Sequence, residues 1–164
     1  KDDMVRYYTL NTQGEVNRLI LNDVTGDLHQ YGTVTEASEI SAGMAVMSSY
    51  IYDIGGVSGS YASSTSSFGA SVGPCKFVSK NGRISGITNL LQVKLTAISG
   101  NTAISNSTSY LLSENVAVYE VIGGDYYLSS LDRVSSGCSL TGWYDKAESA
   151  GGRIRVVVAI PTAA

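Results

Sequence analysis

One short pattern occurs three times in this chain at nearly even spacing, and it limits the fold more than any other feature. Each copy holds an aromatic-bearing stretch, a polar turn, a glycine and, two places on, a β-branched residue. The first copy is Val5-Arg6-Tyr7-Tyr8-Thr9-Leu10, continuing through Gly14 to Val16. The second is Lys76-Phe77-Val78-Ser79-Lys80-Asn81-Gly82-Arg83-Ile84. The third is Trp143-Tyr144-Asp145-Lys146, leading through Gly151-Gly152 to Arg153-Ile154. Gly14, Gly82 and Gly152 are expected to occupy matching turns. They recur about every seventy residues, a period that marks repeated structural units.

The expectation is an all-β chain of tandem small modules, barrel-like or sandwich-like, each about seventy residues long and closed by one hairpin. One module is expected over 21–90 and a second over 91–164. Residues 1–20 would then be the closing hairpin of an incomplete earlier unit. A lone hairpin is marginal in water, so this one must pack on the first full module or fold into another arrangement.

Alternation of period two supports strands over Arg18–Leu21, Tyr31–Thr35, Tyr50–Ile54, Val57–Tyr61, Val93–Ile98, Val116–Val121 and Arg153–Ala159. Arg153 and Arg155 alternate with Ile154 and Val156, as on a strand with a polar face. One short helical turn is expected within Leu128–Val134 and another within Glu36–Met44. The stretch Ser58–Gly73 is rich in Ser and Gly, yet Tyr61, Phe68 and Val72 recur in it. That favours a strand-turn-strand over a free linker.

Charged residues make up 15% of the chain, below the usual quarter. With abundant Gly, Ser, Thr and Tyr, this suits extracellular β-structure better than a cytosolic helical enzyme. The net charge is −3 and no Lys/Arg cluster exists, so no nucleic-acid partner is expected. The longest strongly apolar run, Val156–Ile160, is far short of the ~20 residues a membrane helix needs. With no signal peptide at Lys1, the chain reads as a mature or excised fragment. Cys75 and Cys138 each precede a strand of a repeated hairpin. They are expected to be free, half-buried thiols rather than a disulfide.

No catalytic, metal or cofactor residue emerges. Gly69-Ala70-Ser71-Val72-Gly73 matches the G-x-S-x-G nucleophile elbow, but that motif needs a following helix and a later His. Here Pro74 and an apparent strand follow, and the only His, His29, lies upstream. His29 reads as a surface residue near a turn. Asn22, Asp23 and Asp27 read as turn residues, too sparse for a calcium loop. Asn106-Ser107-Thr108 is a glycosylation sequon that matters only in a eukaryotic secretory pathway. The candidate ligand-stacking residues are Tyr126, Tyr127, Trp143 and Tyr144, against the plainer reading of cross-strand packing. Adjacent pairs in strands must face opposite sides.

Two stretches resemble the carboxy-terminal region of clostridial cell-surface proteins that carry S-layer homology domains. One is Val57-Ser58-Gly59-Ser60-Tyr61 through Gly73-Pro74-Cys75-Lys76-Phe77-Val78. The other is Tyr126-Tyr127-Leu128-Ser129-Ser130-Leu131-Asp132-Arg133-Val134 with Gly142-Trp143-Tyr144-Asp145-Lys146-Ala147 and Gly151-Gly152-Arg153-Ile154-Arg155-Val156. The homology domains themselves have no counterpart in this sequence. The resemblance implies a Gram-positive, secreted, S-layer-associated setting at the cell surface. It also implies a non-catalytic structural or interaction role as a stalk, spacer or display module. Partners would be other envelope proteins or glycans. The alternative is a carbohydrate-binding module using exposed Tyr and Trp.

Overall fold

The computed structural model of the chain describes residues 5–21, 29–134 and 136–162. Strands dominate, as the alternation predicts. Strands β1 (Val5–Leu10) and β2 (Val16–Leu21) form a two-stranded sheet of their own. The next five are β3 (Gln30–Ala42), β4 (Ala45–Ile54), β5 (Val57–Ser63), β6 (Gly73–Lys80) and β7 (Arg83–Asn89). They make an antiparallel sheet in the order β5-β4-β3-β6-β7.

The second large sheet comprises β8 (Leu91–Leu95), β9 (Ala97–Ser99), β10 (Thr102–Ser105), β11 (Thr108–Ile122), β12 (Asp125–Leu128), β13 (Cys138–Tyr144) and β14 (Ile154–Pro161). Its order is β8-β13-β14-β11-β10-β9, with β12 paired to β11. The β11–β14 pair is parallel; the other pairs in this sheet are antiparallel. A short helix, α1 (Leu131–Val134), precedes β13.

Strands β8 and β9 are one run of chain broken at Thr96. The first half pairs with β13 and the second with β10. At the break, the Thr96 N–H and hydroxyl both donate to the Ile104 carbonyl, at 2.7 and 3.0 Å. Both ends of the sheet are therefore the same strand, and the sheet closes into a Greek-key barrel. Leu95, Ala103, Leu112, Leu140, Ile154 and Val157 fill it, and Val134 of α1 joins the same cluster.

Strand β3 divides its pairing in the same way. Gln30–Val34 bond to β6 and Thr33–Ala42 to β4, with a register shift at Thr35. Val34, Tyr50, Cys75, Phe77 and Ile87 form the core of this sheet. The expected helical turn in Glu36–Met44 is absent, because these residues are spent on the β3–β4 ladder and its turn.

The strand-turn-strand expected over Ser58–Gly73 is also corrected: β5 ends at Ser63 and the chain is irregular to Val72. The Ser63 hydroxyl takes the N–H groups of Thr65 and Ser66. Such local side-chain bonds compete with a strand ladder. Phe68 anchors the segment, with its ring centroid 4.7 Å from Tyr61 and 5.9 Å from Tyr50.

The three repeated hairpins share one backbone device. In β1–β2, Thr9 opposes Arg18 and Leu10 opposes Val16, leaving Asn17 as an extra residue. In β6–β7, Val78 opposes Gly86 and Ser79 opposes Ile84, leaving Ser85. In β13–β14, Trp143 opposes Val156 and Tyr144 opposes Ile154, leaving Arg155. Each hairpin thus carries a β-bulge directly after its β-branched residue. Bulges bend the strand and re-aim side chains.

The turn glycines match less well than their spacing predicts. Gly14 (φ 82°) and Gly82 (φ 74°) are left-handed, and Asn81-Gly82 makes a tight two-residue hairpin turn. In the third copy the left-handed residue is Gly151 (φ 83°), not Gly152. Gly152 is required for close approach instead: a Cβ there would lie 1.8 Å from the Lys146 carbonyl oxygen. The third turn is longer and folds over itself, which displaces the equivalence by one residue.

These two glycines predict different costs in urea unfolding. Gly82→Ala faces open space and loses about 1 kcal/mol from its backbone angle alone. Gly152→Ala collides with backbone and loses more than about 2 kcal/mol. Equal small losses would contradict this reading of the third turn.

Candidate functional site

The two large sheets meet without a linker. Leu90 is the single residue between β7 and β8, and it is buried with Tyr119, Val156 and Val158. Tyr31 from β3 and Tyr126 and Trp143 from the barrel pack on the same cluster. Tyr119 donates its hydroxyl hydrogen to Asp53 Oδ1 (2.8 Å) and accepts the Gly55 N–H (3.2 Å). This bond ties β11 to the end of β4.

A second polar contact is built on the Arg155 bulge. Alternation back from Val157 and Ala159 in the barrel core would point Arg155 into that core, and the bulge turns it instead to the face of Val156, toward the first sheet. Arg155 is buried, at 1% exposure, which corrects the expectation of a polar strand face. Its guanidinium lies 3.4 Å from Asp145 Oδ2, donates to Ser113 Oγ (3.2 Å), and sits 5.0 Å from the Tyr31 ring centroid. Asp145 is itself nearly buried. It accepts the Tyr31 hydroxyl on Oδ2 (3.2 Å) and the Arg153 N–H on Oδ1 (3.1 Å). One carboxylate therefore joins β3, β14 and the loop after β13.

That loop, residues 145–153, walls one cleft of about 340 Å³. Tyr110, Leu111, Tyr144, Ile154 and Leu91 form its sides, and Lys146, Glu148 and Arg153 stand along its loop edge. The Tyr110 and Tyr144 rings lie 6.0 Å apart, tilted by 31°. The loop is firmly folded: a 3-10 turn over Glu148–Ala150 closes on Gly151, and the Gly152 N–H donates to Ala147 O (3.0 Å). Glu148 Oε2 accepts the Leu111 N–H (3.3 Å), which clips the loop to β11.

The four aromatics proposed for stacking do not share a face. Tyr126 and Trp143 pack into the cluster between the sheets, Tyr126 edge-on to Tyr119 at 6.2 Å. Tyr127 points away, 52% exposed. Only Tyr144 lines the cleft, and its partner there is Tyr110, which the sequence did not single out. Alternation along β12 and β13 separates each adjacent pair.

Ser71 hydrogen-bonds to Asn89 through both its N–H (2.9 Å) and its hydroxyl (3.3 Å), so its neighbour is a neutral amide rather than a base. His29 is half-buried just before β3. Asn22, Asp23 and Asp27 lie outside the described residues. Among the described residues, no three His, Cys, Asp or Glu side chains gather as metal ligands, and no helix is long and apolar enough to cross a membrane.

Both cysteines are free. Cys138 is half-buried as expected. Cys75 is fully buried, since it packs into the core of its sheet with Val34, Phe77 and Ile87. Burial pushes the Cys75 thiol up to about 12. Burial, then the hydrogen bond and charge of Asp53, hold the Tyr119 phenol well above its ordinary value. Comparison with protein-family models, with curated proteins and with solved structures returned no match for this chain.

Two outcomes follow from these groups. With Ellman's reagent at pH 8, the native protein exposes Cys138 to reaction and Cys75 reacts only on unfolding. Cys75 and Tyr119 stay neutral in the fold but ionise more readily in the unfolded chain. Their contribution is complete below about pH 9 and is lost as pH rises above it. The melting temperature should fall through that alkaline range, and Tyr119→Phe should flatten the slope. An unchanged slope in that variant would contradict the assignment.

Proposed function

We propose that this chain is a non-catalytic structural module built from two copies of one five-strand unit, over about 30–90 and 91–161. It serves as a rigid spacer or display element at a bacterial cell surface, in contact with envelope proteins or glycans. The observation that carries the reading is the linker-free junction: β7 passes through buried Leu90 directly into β8.

Several features support the repeat. With β8–β9 counted as one strand and β12 as an addition paired to β11, both units divide the pairing of their first strand between the second and fourth strands. Both run in one order, with the parallel pair that closes the barrel left open between β5 and β7. Both close with a bulged hairpin. Units in repeat chains gain stability from contacts with their neighbours, and here the neighbour contact includes buried charge. The surface location is supported by the resemblance to clostridial surface proteins and by the low charge content.

Rigidity is the testable property. Spin labels on Ser60→Cys and Ser139→Cys, in a Cys138→Ser background, report the distance between the two units by pulsed electron resonance. A single narrow distribution is expected. A broad or multimodal one would mean the units hinge, and the spacer reading would fall.

A further inference from the structure

The third repeated hairpin differs from the other two by one elaboration. The second hairpin turns at Asn81-Gly82 and the first at residues 11–15, whereas the third carries the folded loop 145–153. That extra chain creates the cleft. Four features hold its wall in place before any ligand arrives: the buried Asp145 cap on Arg153 N–H, the close-packed Gly152, the 3-10 turn, and the Glu148 clip to β11. Pre-formed apolar clefts of this size with a few polar groups are what small-ligand sites look like.

We propose that this cleft binds one acidic pyranose residue of a glycan. Two tyrosine rings at a shallow mutual tilt offer flat, amphipathic surfaces suited to the C–H face of a sugar ring. Two cationic side chains, Lys146 and Arg153, line the edge against one carboxylate, Glu148; Glu148 accepts the Leu111 N–H, and the Arg153 guanidinium donates one N–H to the Gly152 carbonyl at 2.7 Å. The cleft is thus locally cationic in a chain of net charge −3, which selects an acid-bearing sugar over a neutral one. An extended peptide is disfavoured because three of the four strands at the cleft, β11, β13 and β14, are paired on both sides, leaving only β8 with an edge for strand addition. The proposal stands independently of the spacer reading, since it needs only the barrel and its loop.

The test is titration of the full chain, followed by NMR shifts and calorimetry, with a glucuronate-containing tetrasaccharide, neutral cellotetraose and tetraglutamate. The expected result is binding of the uronate probe at about millimolar Kd or tighter, and about tenfold weaker binding of the neutral one. Arg153→Gln, which keeps the backbone bond to Asp145, should erase most of that difference. Tyr144→Ala should weaken both sugars, with circular dichroism confirming the fold. No saccharide binding, equal affinity for the two sugars, no effect of Arg153→Gln, or binding of tetraglutamate alone would each overturn the proposal.

Discussion

The structure depends on a buried carboxylate, Asp145, and on the bulge that brings Arg155 to it. A regular β14 would alternate, and Arg155 would face away from Val156. One extra residue in the strand turns the guanidinium out of the barrel core to the Val156 face, where it meets Asp145 and the Tyr31 ring together. Burying two charges is costly, and their attraction repays the cost only when other groups complete the contacts. Here Tyr31, Ser113 and the Arg153 amide supply such contacts, while Arg155 Nε makes no hydrogen bond. Removing one member leaves the other stranded, at about 3–5 kcal/mol. The same contact holds the 145–153 loop, so the junction between sheets and the wall of the cleft share one anchor.

The bulge is repeated, but its use is not. Asn17 and Ser85 are exposed at the equivalent places in their hairpins, while Arg155 is buried. A common backbone bend therefore serves two local purposes. In the first two hairpins it only adds twist. In the third it delivers a charge to the junction. Sequence identity among the copies is weak because what recurs is the path of the backbone, set by a glycine and a β-branched residue, rather than the side chains upon it.

Much of the fold was legible. Alternation located most strands, and the repeated phrase located all three hairpins. What alternation cannot carry is pairing between distant strands. Nothing local says that Thr96 breaks one strand into two partnerships, or that β11 and β14 lie parallel. Arg155 has no polar face to join because β14 is buried on both sides from Ile154 to Ala159, and period two does not say what covers the second side. Gly152 was misread because close approach to Lys146 O and a left-handed turn both demand glycine, and the sequence does not distinguish them. The cleft had one visible signal, the longer third turn, but Tyr110 reaches it from β11, some way back in the chain. The four candidate stacking residues form two adjacent pairs, an arrangement that strands separate onto opposite faces.

The central claim is that buried polar contacts make the two sheets one cooperative body. Equilibrium urea unfolding followed by Trp143 fluorescence, which reports the junction and barrel, and by far-ultraviolet circular dichroism, which reports both sheets, tests it most directly. The account predicts coincident transitions in the parent protein, and a loss of coincidence in Asp145→Asn. Separate transitions in the parent protein, or an Asp145→Asn variant indistinguishable from it, would contradict the claim.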